Sequence, residues 1–262
     1  MTITDTTALS PITTPPESNG HAPHDREMTM LEHLAELRQR LVVMALAVVG
    51  GVVFSIIPFP GFDSVTRFVV ARLVERARDA GVDVQALGPG ETFFAFLEVS
   101  LVIGAAIAMP VIIYQVLSFV TPALYDNERK YLYIAVPGVT ASFLIGVLFC
   151  YLLMLPFAIH FLGGFGADLV KPQWAIGIYL KFVTSFLFWV GLTFELPIVM
   201  YFLSKLGVVS AQRMATFRKH AFVMAFVLGA IITPTPDPVN QTIISLPIYF
   251  LFELGIILAR FA

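Results

Sequence analysis

The sequence predicts an all-α integral membrane protein of six transmembrane helices, the last two of them short, and three observations predict it. Hydrophobic residues make up 58% of the chain and charged residues only 13%, about half the charged share of an ordinary soluble domain. Mean hydropathy is +0.84. The apolar residues are gathered into runs, four of which can cross about 30 Å of hydrocarbon, a distance that takes about 20 helical residues.

Residues 1–27 are rich in Thr, Ser and Pro and hold no apolar segment. They cannot bury enough surface to offset the entropy of ordering, and we expect a disordered cytoplasmic tail. The tail lacks the basic start and apolar stretch of a secretory signal, so the first helix is expected to stay as an uncleaved span. That span is Leu41 to Ile57, extended on its N-terminal side by the amphipathic segment Leu31 to Arg40. The segment after it, Phe62 to Ala80, alternates apolar and charged residues at helical spacing, the pattern of an amphipathic helix at the outer surface.

The second, third and fourth spans are Phe93 to Val120, Leu132 to Ile159 and Phe182 to Leu203. Two weaker runs follow. Ala221 to Ile232 would reach only about 18 Å as a helix, and Ile243 to Leu258 is interrupted by Pro247 and Glu253. As spans these are 221–233 and 241–258, completing a membrane domain over 28–262; a re-entrant hairpin is the alternative for the pair. Six spans leave Arg26, Arg38, Arg40, Arg129, Lys130, Lys205, Arg213, Arg218, Lys219 and Arg260 on one side. Arg67, Arg72, Arg76, Arg78, Lys171 and Lys181 fall on the other. The excess places both termini in the cytoplasm.

Composition and motifs also exclude functions. A formal net charge of −2 without clustered Lys and Arg argues against a nucleic-acid partner. The sequence has no Gly-rich phosphate loop, no metal-spaced Cys or His pair and no Gly-x-Ser-x-Gly elbow, so we expect no metal, no cofactor and no catalysis. Cys150 is the single cysteine and can form no intrachain disulfide. An intramembrane hydrolase would need a base at the depth of Ser100, Ser142 or Ser185, and none is evident.

Ionisable residues within spans carry more weight, because each costs several kcal/mol in lipid unless hydrated or paired. Glu195 lies 14 residues after Lys181 and 10 before Lys205, near the middle of its span. Pro197 beside it removes a backbone donor and kinks the helix. Glu195 either bonds a neighbouring helix or lines a cavity; an ion-coupled secondary transporter using this carboxylate is the leading alternative function. Such carriers commonly show two related halves, and the chain has no convincing internal repeat. Glu98 and Glu253 sit nearer helix ends and can snorkel. On the cytoplasmic side, Glu36 has Arg40 four residues on, an ordinary helical ion pair worth under about 0.5 kcal/mol. Glu128 lies in the short loop after Pro122.

Together these motifs resemble the TatC family, the multispanning receptor subunit of the twin-arginine protein translocase. The resemblance rests on His33-Leu-x-Glu36-Leu-Arg38-x-Arg40-Leu, on Pro110-x-x-x-Tyr114-Gln115-x-x-x-Phe119-x-x-Pro122-x-Leu124-Tyr125-x-x-Glu128-Arg129, on Phe194-Glu195-x-Pro197, and on Thr233-Pro-x-Pro-Asp237-x-x-x-Gln241. It implies a concave, glove-like six-helix bundle in a bacterial cytoplasmic membrane, or an archaeal or organellar counterpart. The resemblance further implies a receptor for the twin-arginine signal peptides of folded cargo, working with TatA- and TatB-type single-span subunits and the lipid bilayer, as a homo-oligomer within a larger complex. The residues matching signal-peptide recognition are Glu36 and Glu128, with Arg38 and Phe119 beside them. Glu195 and Gln241 match intramembrane polar contacts to partners, and Asp237 a periplasmic-side position. The chemistry suits arginine: a carboxylate accepts the guanidinium fork bidentately, which Lys cannot reproduce. At an effective dielectric near 20, a pair about 4 Å apart gains about 4 kcal/mol before desolvation.

Overall fold

The computed structural model describes residues 30–61, 63–120, 129–166, 168–169, 171–205, 207–232 and 237–262. The tail 1–27 and Glu128 therefore lie outside the described residues. Ten α-helices are described: α1 (Met30–Ile56), α2 (Val65–Asp79), α3 (Glu91–Val120), α4 (Arg129–Phe149), α5 (Leu155–Gly164), α6 (Ile176–Thr193), α7 (Leu196–Lys205), α8 (Ala211–Thr216), α9 (Arg218–Ile232) and α10 (Pro238–Ala259). Five helical stretches are long and apolar enough to cross a membrane, namely 33–56, 91–119, 136–164, 176–205 and 238–259. The short fifth run of the sequence is α9, whose 15 residues rise only about 22 Å.

The last helix differs from expectation. We expected a short segment interrupted by Pro247 and Glu253, yet α10 runs unbroken for 22 residues through Pro247. Neighbouring helices and local adjustment can satisfy a carbonyl freed by proline inside a membrane bundle. Glu253 does not end the helix either, because Arg218 pairs with it at 2.9 Å and Tyr249 Oη donates to it at 2.8 Å.

Proline has clearer consequences elsewhere. A five-residue π turn, Cys150–Met154, joins α4 to α5, with the Leu155 amide donating to the Cys150 carbonyl five residues back. Pro156 follows at once; it lacks an N–H and its ring would strike the carbonyl of Leu152 in a regular helix, so the wider turn makes room. Pro197 acts similarly on the fourth span. It cannot donate to Thr193, and the helix breaks at Phe194 and Glu195 between α6 and α7.

Helix α1 runs antiparallel to α3, so the end of the bundle where α1 begins (the near end) also holds the C-terminus of α3. Small residues let the two helices touch. A Cβ on Gly51 would collide with the Gly104 carbonyl, and one on Gly104 would fall 2.5 Å from the backbone nitrogen of Val52. The opposite face of α1 presents Leu41, Val42, Leu46, Val49 and Val53 outward, as a lipid-facing surface requires. Helices α4 and α6 pack through side chains instead: those of Phe143 and Val147 fill the space a Cβ on Gly191 would need.

At the far end, the charged segment after α1 forms α2, capped by the Ser64 hydroxyl. Its buried positions Thr66, Val70, Leu73 and Ala77 recur at helical spacing and join a core that includes Val82, Ile159 and Leu180. Thr66 Oγ1 meets Ser55 Oγ at 3.2 Å and Ser100 Oγ at 3.1 Å, pinning α2 to α1 and α3. Tyr179 Oη donates to the Leu73 carbonyl at 2.6 Å, pinning α2 to α6. Strands β1 (Asp83–Gln85) and β2 (Gln173–Ala175) pair in parallel, joining the two far-end connections.

Candidate functional site

The near-end mouth between α1 and α3 gathers the polar groups that the sequence singles out. Glu36 and Arg40 lie one turn apart on the face of α1 turned toward α3. Arg40 donates to Glu36 Oε1 from both Nε, at 2.9 Å, and Nη2, at 2.5 Å. Its Nη1 reaches Gln115 Oε1 at 3.2 Å and the Gln115 carbonyl at 3.5 Å, and Nη2 also reaches the Ser118 carbonyl at 3.1 Å. Below this junction, Glu36, Gln39, Arg40, Val43 and Gln115 line a recess of about 260 Å³. Glu36 Oε2 is buried and accepts no hydrogen bond among the described residues.

Phe119 closes the same mouth. Its ring stacks on His33 with centroids 4.4 Å apart and planes 21° from parallel, so α1 and α3 are joined by an aromatic pair as well as by Arg40. Arg38 is placed otherwise. Two residues on from Glu36 means a rotation of about 200° around the helix, and Arg38 is exposed on the opposite face, where no described residue pairs with it. The structure thus brings Glu36 and Phe119 together and leaves Arg38 apart.

Glu195 sits in the break between α6 and α7, half-buried, and its Oε1 has no hydrogen-bond partner among the described residues. The break is tied to α4: Ser142 Oγ donates to the Phe194 carbonyl at 2.7 Å, and the Phe194 ring occupies the space left by Gly146. Gln241 and Asp237 have structural partners. Gln241 Nε2 donates to the Phe226 carbonyl at 3.0 Å, tying α10 to α9, and it also borders an apolar groove of about 440 Å³ formed by Phe222, Val223, Phe226 and others of α9. Asp237 caps α10, accepting the Asn240 amide at 2.7 Å and its side-chain nitrogen at 3.0 Å.

Sequence reasoning treated Arg40 only as the ion-pair partner of Glu36 and gave Gln115 no role. Gln115 stands 75 residues from Arg40, and no local pattern announces the contact; the available signal was the presence of both in the quoted motifs. Among the described residues no cluster of His, Cys, Asp or Glu could hold a metal ion.

These features define a multispanning membrane protein with a carboxylate held in a small polar recess at one mouth of its helix bundle. Residues 32–247 match the family described as Sec-independent protein translocase protein (TatC). The chain is 36% identical over 239 residues to the Sec-independent protein translocase protein TatC of Aquifex aeolicus, covering 90% of this chain and 96% of that one. It is 33% identical over 240 residues to the chloroplastic counterpart of Pisum sativum, covering 92% of this chain and 66% of that one. A crystal structure of the twin-arginine translocase receptor TatC superposes with a TM-score of 0.78 at 35% identity, covering 88% of this chain and 99% of that chain. The chain belongs to the TatC family.

Proposed function

We propose that the chain is the signal-peptide receptor and core scaffold of a twin-arginine translocase, reading the paired arginines of folded cargo at the mouth of α1 and α3. The observation that carries this reading is Glu36, which lines the recess and whose Oε2 is buried without a hydrogen-bond partner among the described residues. A guanidinium entering there would restore the hydrogen bond that burial has denied the carboxylate. In this reading Glu128, which follows α3 in sequence, is the second acceptor, and Phe119 offers an aromatic wall to the alkyl stem of an arginine. The protein is a binding scaffold, not an enzyme.

Six spans form the glove-like domain in this reading, with α9 as the fifth and both termini cytoplasmic. A helix of about 22 Å crosses only if the bilayer beside it thins, which costs fractions of a kcal/mol per Å. The near end is then cytoplasmic, and α2, β1 and β2 form an outer cap. Single-span subunits of the TatA and TatB type contact Glu195 and the α9–α10 groove beside Gln241, while Asp237 stands at the outer mouth. The membrane is a bacterial cytoplasmic membrane or its organellar equivalent, and the receptor works as an oligomer.

The test is peptide affinity in nanodiscs, together with photocrosslinking from positions flanking Glu36 and Glu128. Glu36→Gln and Glu128→Gln each remove a charge but little volume. Each is expected to weaken a twin-arginine peptide by about tenfold, the value of one charge-assisted hydrogen bond. Unchanged affinity in both single variants and in the double variant refutes the assignment.

A further inference from the structure

We infer that Arg40 is a positioning residue that confers arginine selectivity on Glu36, an inference that rests on the signal-peptide reading above. A guanidinium carries five N–H donors in a fixed plane. Five contacts are made: Nε and Nη2 to Glu36 Oε1, Nη1 to the side chain and the carbonyl of Gln115, and Nη2 to the carbonyl of Ser118. The donor set of Arg40 is therefore spent within the protein. It offers nothing to an incoming ligand, and it is held in one orientation by two helices at once.

Two consequences follow for Glu36. Both bonds from Arg40 fall on the same oxygen, so the carboxylate is fixed about its last torsion, and Oε2, buried and unpaired among the described residues, is the acceptor left for a ligand in the recess that Glu36 lines. Arg40 also lies on the last turns of α3, where the exposed carbonyls of a helix amount to roughly half a negative charge. Its positive charge is shared between that helix end and Glu36, and the recess keeps a negative surplus in which to receive a cation. An acceptor of fixed direction selects by geometry as well as by charge. A planar guanidinium can aim two coplanar N–H groups at that one oxygen, as Arg40 itself does at Oε1, whereas the diverging N–H groups of an ammonium can aim only one.

Arg40→Lys separates these effects, because Lys keeps the charge and cannot make five coplanar bonds. Affinities of peptides carrying Arg-Arg and Lys-Lys pairs are measured on the full chain in nanodiscs, in wild type, Arg40→Lys, Glu36→Gln and the double variant. Arg40→Lys is expected to weaken the Arg-Arg peptide by about tenfold while leaving the Lys-Lys peptide within about threefold, so that selectivity collapses. Once Glu36→Gln is present, adding Arg40→Lys should change little, because the two residues act through one oxygen. Gln115→Leu, which removes only one of the five bonds, should shift selectivity in the same direction by less and guards against a folding defect in Arg40→Lys. Equal loss for both peptides in Arg40→Lys and Gln115→Leu, or additive effects with Glu36→Gln, overturns the positioning role while the receptor reading stands. A wild type that binds Arg-Arg and Lys-Lys peptides alike overturns the receptor reading and this inference together.

Discussion

Gly104→Ala tests how the α1–α3 crossing supports the recess. The added Cβ would lie 2.5 Å from both the backbone nitrogen and Cγ2 of Val52, whereas non-bonded heavy atoms rest about 3.5–4.0 Å apart. The Val52 side chain can rotate, but its backbone nitrogen cannot. Helix α1 must therefore move outward by about 1 Å, a gap that forfeits a quarter to a half of each contact it opens. Overpacking of this kind typically costs about 1–3 kcal/mol. The displacement travels along α1 to the near end, where the bonds from Arg40 to the carbonyl and side chain of Gln115 are already 3.5 and 3.2 Å long and have little reach to spare. Thermal unfolding in nanodiscs and twin-arginine peptide affinity are measured side by side, with Gly50→Ala as control, since a Cβ there meets nothing within 4 Å. Gly104→Ala should lower both stability and affinity, while Gly50→Ala leaves both unchanged or slightly raises stability, as Ala does in a helix. Equal behaviour of the two variants refutes the close approach and its link to the recess.

Tyr179→Phe leaves the Leu73 carbonyl without its 2.6 Å donor in a buried setting; a loss of about 1–3 kcal/mol is expected, with faster hydrogen exchange across α2, and unchanged exchange there would show that the bond does not anchor the helix. Glu195→Ala should impair transport and partner crosslinking more than peptide binding, because Glu195 lies in the α6–α7 break and the recess lies at the α1–α3 mouth. Wild-type behaviour in all three assays would reduce Glu195 to a structural polar group.

Much of this architecture is written in residues that act locally. Four of the five long apolar helical stretches can be placed from apolar length, α2 from its helical alternation of charge, and the α6–α7 break from Pro197, because each depends on neighbours in sequence. The features that escaped depend on partners far along the chain. Pro247 looked like an interruption, since whether a freed carbonyl finds another donor is settled by neighbouring helices. Glu253 resembled a snorkelling residue because its partner, Arg218, is on another helix. The site divides the same way. Glu36 and its i, i+4 partner Arg40 could be read from spacing, whereas Gln115 and the α3 carbonyls enter only when two antiparallel helices fix their register at Gly51 and Gly104.

The two ends of the bundle are joined by different chemistry, and the difference suits a receptor. At the far end, α2 is held to its neighbours by buried neutral hydroxyls, Thr66 with Ser55 and Ser100, and Tyr179 with Leu73. Breaking such bonds in a dry setting leaves polar groups unpaired, so this end resists rearrangement. At the near end, α1 and α3 are joined by a stacked aromatic pair and by one arginine whose carboxylate partner is about a fifth exposed. Here the Arg40 contacts hold Glu36 Oε1 in place and leave Oε2 without a partner among the described residues, so a cation can bind that oxygen without displacing Arg40. A far end held rigidly and a near end with one carboxylate oxygen unpaired would let the proposed cationic ligand bind beside Glu36 without disturbing the packing that keeps α1 on the bundle. The Gly51–Gly104 crossing lies between the two ends, which is why a single added methyl there should be felt at the mouth.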